Sequence, residues 1–501
     1  MTTVLLDVAR SALGWLFLAY TLVAVSHYVI QLFFAHRTYR RQASPAFELE
    51  YPDLAIDVDI LIPSYNEEPE LLEACVRSAL RQDHPGRLKV IVIDDGSPNR
   101  DLLDPVYDAL ARAGAIIIRA PENVGKRHAQ ALGFPACEGE IIVTLDSDSV
   151  LRRDAVRRLT RRFRDPRVGA ATGFVDVVNY RKNLLTRLQR LRYWMAFNQE
   201  RAAQTWFKTV LCCSGPLAAY RREIVDRVRD AYLTQTYGGV NCTYGDDRHL
   251  TNLVLGAGYD TVFDSGAIAE THAPEKMRQF IRQQLRWSKS FYRELVWTVP
   301  YIGERRWYPR FDVACQVAMP MILPFTASTA LFLGMLTSPA YVIRYLALIA
   351  VVGAIRATYG AIRHRDVGFY LFVLYGFVSA FVLMPIRFRA LWTLTDARWG
   401  TRGPVRPKGQ RWTFLRAIRP AQLSLATAGG AGAAPPGGES GFTDSEAMMS
   451  FIRALPVSPS PRLKMTVMQQ PSRGRSCSCG VSPPTARYCR RCGNEKIGAI
   501  A

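Results

Sequence analysis

Residues 11–34, SALGWLFLAYTLVAVSHYVIQLFF, run 24 positions without a Lys, Arg, Asp or Glu. As a helix at 1.5 Å per residue the stretch reaches about 36 Å, enough to cross roughly 30 Å of hydrocarbon with some tilt. A block like this is a membrane helix or a signal peptide. Its length, the single basic residue ahead of it (Arg10) and the lack of a clear small-residue cleavage site favour the membrane helix. His36, Arg37, Arg40 and Arg41 follow it directly and assign that side to the cytoplasm.

Three more apolar blocks lie near 314–336, 339–356 and 367–392. The middle one carries Arg344 near one end, where the side chain can snorkel. The third is interrupted by Pro385 and followed by Arg387 and Arg389, and reads as one span plus an interfacial helix or as a re-entrant hairpin. Arg402, Arg406, Lys408, Arg411, Arg416 and Arg419 belong in the cytoplasm by the same charge rule, which asks for an even number of crossings after the soluble part. The net charge of +21 invites a nucleic-acid reading. Cationic flanks facing anionic lipid account for it without nucleic acid.

Between residue 52 and about 310, short β-rich runs alternate with amphipathic stretches: VDILIPSY, LKVIVIDDGS, AIIIRAP and EIIVTLDSDS. Apolar runs of this length between helical segments predict an α/β domain with strands covered on both faces. The stretch LRRDAVRRLTRRFRDPR spaces Arg153, Arg157, Arg161 and Arg164 helically; a solvated face is expected, with lipid headgroups as the alternative. Residues 424–475, rich in Ala, Gly, Pro and Ser, read as a flexible tail. Cys75, Cys137, Cys212, Cys213, Cys242 and Cys315 are scattered, as in a reduced cytoplasmic domain.

Carboxylates mark two strand ends. Asp94-Asp95-Gly96-Ser97 closes one apolar strand and Asp146-Ser147-Asp148 closes another. Acidic groups at the carboxyl end of parallel strands face the crevice where α/β proteins bind ligands, and a carboxylate pair spaced by one residue can hold a divalent cation against a diphosphate. Between them, Asn123-Val124-Gly125-Lys126-Arg127 sets a glycine beside two cations, which suits phosphate or an ordinary turn. Gly245-Asp246-Asp247-Arg248-His249 follows, and then Gln283-Gln284-Leu285-Arg286-Trp287. On a helix, Gln283, Arg286 and Trp287 share one face, offering an amide, a guanidinium and a broad ring; a helix resting on the membrane would look the same.

The set Asp95, Asp146-x-Asp148, Asp247 and Gln283-x-x-Arg286-Trp287 resembles the D, DxD, D, QxxRW series of processive family-2 glycosyltransferases, which include cellulose, chitin and hyaluronan synthases. The runs RYWMAFNQERA (192–202), CCSGPLAAYRR (212–222), GDDRHLTNLVLGAGYDT (245–261), QQLRWSKSFYRE (283–294) and WGTRG (399–403) are most similar to hyaluronan synthases, with rhizobial chitooligosaccharide synthases second. The resemblance implies a GT-A-like domain with a Rossmann-like mixed sheet, inserted between transmembrane helices. It implies inverting transfer from UDP-GlcNAc and UDP-GlcUA to a growing polysaccharide on the cytoplasmic face of the cell membrane, with export across the bilayer. The alternatives are a chitin-like product from UDP-GlcNAc alone and, from another class, a catalytically silent membrane scaffold.

By position, the resemblance assigns the UDP side to Tyr65, Glu67, Asp94, Asp95, Lys126, Arg127, Asp146, Gln283 and Arg286, with Mg²⁺ or Mn²⁺ on Asp148. It makes Asp247 the general base, Trp287 the acceptor floor, and Cys212, Ser214, Gly215, Pro216 and Asp246 the acceptor pocket. Trp399-Gly400-Thr401 becomes a gating loop over the donor. The expected division is a membrane helix at 11–34, a catalytic domain at 52–275, interfacial helices at 276–312, and transmembrane or interfacial helices at 313–395. A gating and basic segment at 396–420, a linker at 421–475 and a cysteine knuckle at 476–494 complete it. In that knuckle Cys477, Cys479, Cys489 and Cys492 form two thiolate pairs able to hold a structural Zn²⁺, although the first pair has only one residue between its members. Two features depart from hyaluronan synthases: one span precedes the domain, and none follows Arg419.

Overall fold

The computed structural model describes residues 2–336, 338–396, 476–477 and 495–496. The first apolar block lies in a long helix, α1 (Thr2–Gln42), which continues through Arg37, Arg40 and Arg41. Its basic end is anchored to the soluble part: Thr38 Oγ1 donates to the Ala202 carbonyl at 2.7 Å, and Gln42 Nε2 to that of Phe263 at 2.8 Å. A short helix, α2 (Pro45–Glu50), capped by Ser44, leads into the sheet.

The first half alternates strand and helix: β1 (Val58–Ser64), α3 (Pro69–Leu80), β2 (Leu88–Asp94), α4 (Arg100–Arg112), β3 (Ile116–Arg119), α5 (Lys126–Gly133) and β4 (Ile141–Thr144). The second half comprises β5 (Val150–Leu151), α6 (Ala155–Thr160), β6 (Val168–Val177), α7 (Leu184–Met195), a π-helical turn at Ala196–Arg201, α8 (Ala202–Trp206) and β7 (Ala218–Arg221). It continues through α9 (Arg222–Leu233), a ribbon of β8 (Thr236–Tyr237) and β9 (Val240–Asn241), α10 (Asp246–Gly256) and β10 (Asp260–Thr271). The main sheet has eight strands in the order β3-β2-β1-β4-β7-β6-β10-β5. β1 to β4 are mutually parallel, β7 is antiparallel to both its neighbours, and β5 is antiparallel to β10. This is a GT-A-like mixed sheet.

Every residue of β1 is buried, because helices cover both faces of the sheet. One core gathers Val58, Ile60 and Val92 against α3, α4 and α6; the other gathers Leu61, Ile91 and Ile93 against α5, α8, α9 and the end of α1. Strand order reverses between β2-β1 and β1-β4, which opens a crevice at the carboxyl ends of these strands.

The arginine-rich stretch corrects one expectation. It is not a single solvated helical face: α6 ends at Thr160, a 3₁₀ turn follows, and Arg161 and Arg162 are buried. Arg161 Nη2 lies 3.4 Å from Asp264 Oδ2, and both guanidiniums stand over the Phe47 ring. A buried carboxylate and an aromatic face offset the cost of that burial, while Arg153 and Arg164 stay exposed.

After the sheet come α11 (Met277–Ile302), α12 (Trp307–Leu336), α13 (Ala340–His364), α14 (Phe372–Val378) and α15 (Met384–Trp392). Among the described residues, four helical stretches are long and apolar enough to cross a membrane: Gly14–Gln42, Trp307–Phe332, Ala340–His364 and Val367–Trp392. α12 begins and α13 ends against the sheet domain, with Tyr308 stacked on Phe207 and His364 edge-on to Trp194. The third expected block is not a hairpin. It runs as continuous helical turns, and the π turn at Ser379–Leu383 directly precedes Pro385, where the regular bonding pattern is already interrupted. Both its ends touch the sheet domain: Phe369 packs on Trp194 at 4.9 Å between centroids, and Asp396 pairs with Lys289 at 3.1 Å while its carbonyl accepts from the Tyr244 hydroxyl.

Residues 454–501 form a separate unit, in which β11 (Ser476–Cys477) pairs in parallel with β12 (Glu495–Lys496). Side chains there, including that of Cys477, and the whole of Cys479, Cys489 and Cys492 lie outside the described residues, as do Trp399, Gly400 and Thr401.

Candidate active site

At the end of β2, strand alternation sends two adjacent carboxylates to opposite sides. Asp94 turns inward, held by Arg100 Nε at 2.9 Å, the Tyr107 hydroxyl at 3.3 Å and the Ser97 backbone N–H at 3.2 Å. Asp95 turns toward the next loop and accepts from the N–H groups of Val124 at 2.7 Å and Gly125 at 3.0 Å, and from Asn123 Nδ2 at 3.0 Å. Asp95 therefore shapes the turn that delivers Lys126 to the start of α5. Tyr65 and Glu67 leave the end of β1, and the Glu67 carboxylate accepts from the Ser147 hydroxyl at 2.9 Å.

Lys126 joins the segments. Its Nζ lies 2.6 Å from Asp146 Oδ1, beyond β4, and 3.0 Å from Asp246 Oδ2, at the start of α10. Burial alone would lower this ammonium, but the Asp146, Asp246 and Asp247 carboxylates outweigh it and hold the lysine well above its ordinary value. Gly215 sits directly over the pair: a Cβ there would stand 2.9 Å from Lys126 Nζ and 3.1 Å from Asp146 Oδ1. Asp148 accepts from the Ser149 hydroxyl at 3.2 Å.

α10 begins at Gly245, which caps it with φ at 83° and whose Cβ would collide with Ser290 of α11. Only glycine fits that left-handed, crowded position. Asp246 and Asp247 follow in the first helical turn. Burial pushes the Asp247 carboxyl up and the neighbouring Asp246 charge adds to this, against Lys126 and Arg248. For Asp246 burial is outweighed, chiefly by Lys126, and its carboxyl lies below the usual range. Asp247 Oδ2 accepts from the Cys212 thiol at 3.6 Å and the Gly215 N–H at 3.4 Å, and its Oδ1 from the Arg248 N–H at 2.7 Å. Burial and the Asp247 charge push the Cys212 thiol up to about 11, so it stays a neutral donor near neutral pH.

α11 brings Gln283, Arg286 and Trp287 to one face. The Trp287 ring is 43% exposed and lies 6.2 Å from that of Tyr193, centroid to centroid. Burial, and then the Asp148 and Asp146 charges, push the Tyr193 hydroxyl up. The Gln283 side-chain carbonyl is buried and has no hydrogen-bond partner among the described residues. The arrangement provides a cation among carboxylates, a raised carboxyl group facing a loop, and an open aromatic platform.

Arg127 does not join this cleft. Its guanidinium is buried over the Tyr232 ring of α9, donating to the Tyr232 carbonyl at 3.1 Å and to Gln235 Oε1 at 2.8 Å. Consecutive residues of α5 point about 100° apart, so only Lys126 faces the crevice. Gln235 continues to Glu294 at 2.6 Å, which also pairs with His249 at 3.1 Å and accepts from Asn252 Nδ2 at 2.9 Å. Tyr193 and Arg201, within the run 192–202, and Glu294, within 283–294, reach or support the site although the motif spacing singles out none of them.

The description "Glycosyltransferase like family 2" matches residues 55–290. The chain is 38% identical over 349 residues to an N-acetylglucosaminyltransferase of Neorhizobium galegae, covering 69% of this chain and 80% of that one. It is 37% identical over 391 residues to an N-acetylglucosaminyltransferase of Rhizobium leguminosarum bv. viciae, covering 77% and 90%. Among solved structures, a mannosyltransferase of Pyrobaculum calidifontis in complex with GDP-Man and Mn²⁺ aligns at a TM-score of 0.46 and 20% identity, over 72% of this chain and 99% of that one. That likeness is too loose to bear on the chemistry.

Proposed function

We infer the activity from one premise: the chain belongs to glycosyltransferase family 2. The reading is a membrane-embedded N-acetylglucosaminyltransferase that repeatedly adds GlcNAc from UDP-GlcNAc to a GlcNAc-ended acceptor, with inversion at the anomeric carbon. The observation that carries it is the convergence of Lys126, Asp146, Asp246 and Asp247 from three separate segments. The two-donor, hyaluronan-type specificity suggested by the motif runs gives way to the single-donor alternative, because the relatives carry the name N-acetylglucosaminyltransferase.

In this mechanism Tyr65, Asp95, Gln283 and Arg286 bind the UDP portion, and Lys126 balances the carboxylates around it. Trp287 supports the acceptor sugar. Asp247 takes the proton of the acceptor hydroxyl as that oxygen attacks the anomeric carbon in line and UDP departs. Asp148, with Asp146 beside it, offers one or two carboxylates, a set that fits Mg²⁺ or Mn²⁺ held largely by the diphosphate; no group of three His, Cys, Asp or Glu ligands occurs among the described residues. When bound, that ion neutralises charge developing on the leaving diphosphate.

The membrane arrangement is part of the proposal. α1, α12 and α13 cross the cell membrane, while residues 367–392 lie along the cytoplasmic domain, whose contacts hold both their ends. Two crossings then follow the domain, in agreement with the basic segment beyond it. The Cys477, Cys479, Cys489 and Cys492 set is proposed as a structural zinc knuckle, checked by zinc content before and after serine replacement.

Donor omission tests the activity. Membranes carrying the protein should make a GlcNAc polymer from UDP-GlcNAc alone; product formed only after UDP-GlcUA is added would return the two-donor reading. EDTA should stop turnover, and added Mg²⁺ or Mn²⁺ should restore it. Asp247→Asn should bind UDP and fail to turn over, whereas unchanged turnover would remove Asp247 as the base.

A further inference from the structure

The loop Cys212–Gly215 reaches Asp247 with two donors, the Cys212 thiol and the Gly215 N–H. Neither residue is fixed by a strand, since β7 begins only at Ala218. The loop backbone is tied to α10 and β6, the Cys213 N–H donating to Thr251 Oγ1 at 2.9 Å and the Ser214 N–H to Thr172 Oγ1 at 3.2 Å, and one further group holds the Cys212 carbonyl and the Ser214 hydroxyl.

That group is the guanidinium of Arg201. Its Nε donates to the Cys212 carbonyl at 3.0 Å, its Nη2 to the Ser214 hydroxyl at 2.8 Å, and its Nη1 to the Ala196 carbonyl at 3.2 Å. The plane of the group stands 4.2 Å from the centre of the Phe197 ring. The hydrogen bonds of the Arg201 guanidinium all go to neutral oxygens of the loop and of its own turn. A planar fork spreads its five N–H donors over three nitrogens and can lie flat on a ring, whereas an ammonium presents its three donors from one atom and has no flat face.

The turn that carries Arg201 is π-helical, spanning Ala196–Arg201. Its other side is tied to a membrane helix: Glu200 pairs with Arg356 of α13 at 2.9 Å, and Gln199 Nε2 donates to the Arg356 carbonyl at 2.8 Å. Burial would raise Glu200, but Arg192 and Arg356 hold it down at about 2. The loop is thus referenced to α13 through a single helical turn, and π turns inside helices concentrate at functional sites.

We propose that Arg201 is a positioning residue of the acceptor loop: together with the Thr251 and Thr172 hydrogen bonds, its fork sets where Cys212 to Gly215 stand against Asp247, and so how the acceptor sugar is held for attack. The inference rests on the glycosyltransferase reading of Asp247 and the loop. It places acceptor affinity, not donor affinity, under the control of Arg201.

The test uses full-length protein in lipid nanodiscs. Initial rates are measured against a short chitooligosaccharide acceptor and, separately, against UDP-GlcNAc. Arg201→Lys keeps the charge and most of the aliphatic stem; it should raise the acceptor KM about tenfold while the donor KM stays within about twofold. Phe197→Leu removes only the ring beneath the guanidinium, and should raise the acceptor KM in the same direction by a smaller factor. A general loss of folded enzyme would lower kcat and leave both KM values alone. An unchanged acceptor KM in Arg201→Lys, or a parallel rise of both KM values, overturns the proposal. If Arg201→Lys does not assemble, the Phe197→Leu result decides in the same way. Asp247→Asn run alongside separates the two claims: full turnover in that variant removes the base assignment, whereas an inactive Asp247→Asn with unaltered Arg201→Lys removes this one.

Discussion

Asp247 is raised by burial first and by the Asp246 charge second. A base must be ionised to accept a proton, so a raised value makes turnover fail at a higher pH as the solution is acidified. The acid limb of kcat should therefore lie above the ordinary aspartate value of about 4. Asp246→Asn removes the neighbouring negative charge and should move that limb to lower pH; a limb that stays or moves up would refute the part assigned to the Asp246 charge. Gly215 is a second residue-scale test. A methyl group there would stand 2.9 Å from Lys126 Nζ and 3.1 Å from Asp146 Oδ1, tighter than a relaxed contact. Gly215→Ala should keep the fold, since the nearest atoms a methyl would meet are the ends of the Lys126 and Asp146 side chains, and reduce kcat/KM by about tenfold or more, read by steady-state kinetics on well-folded protein.

At the scale of elements, α10 and α11 carry the proposed base and the Gln283-Arg286-Trp287 face, and a buried polar network joins them. Glu294 is its centre, accepting from Gln235 and Asn252 and pairing with His249. Tyr301 donates to Asn252 Oδ1 at 2.7 Å, which fastens the far end of α11 to the same point. Removing a buried acceptor strands its donors, so Glu294→Ala should cost about 3 kcal/mol and lower the melting temperature. Glu294→Gln, which keeps part of the network, should cost less. Equal melting temperatures for Glu294→Ala and the unmodified protein would show that the helices are held by apolar packing alone.

For the whole molecule the decisive matter is which segments cross the membrane. Residues 367–392 have the highest mean hydropathy of the four candidates at 2.2, yet one flank packs on Trp194 of α7 and the other pairs with Lys289 of α11. Cysteine labelling in a background without the tail cysteines distinguishes the outcomes. Ser338→Cys, between α12 and α13, should react only from the face opposite the catalytic domain. Asp366→Cys and Thr395→Cys should both react from the catalytic face. Labelling of the last two from opposite faces would make residues 367–392 a third crossing and reverse the side assigned to the basic segment.

The sequence by itself determined the class of fold, the apolar helices and the residue types of the site, because these are local properties: length without charge, strand runs ending in carboxylates, and helical spacing of Gln283, Arg286 and Trp287. It did not determine which way adjacent side chains turn or what meets them. Lys126 and Arg127 are neighbours with the same charge, and only the packing of α5 against α9 decides that one faces the crevice and the other is buried on Tyr232. Asp94 and Asp95 divide in the same way. Arg161 is buried because Asp264 and Phe47, both distant in the chain, meet it in space. Residues 367–392 read as a span plus an interfacial helix or as a hairpin, and only the tertiary structure shows continuous helical turns whose flanks meet Trp194 and Lys289. Hydropathy and spacing are carried by the chain, whereas partner and orientation arise only when distant segments come together.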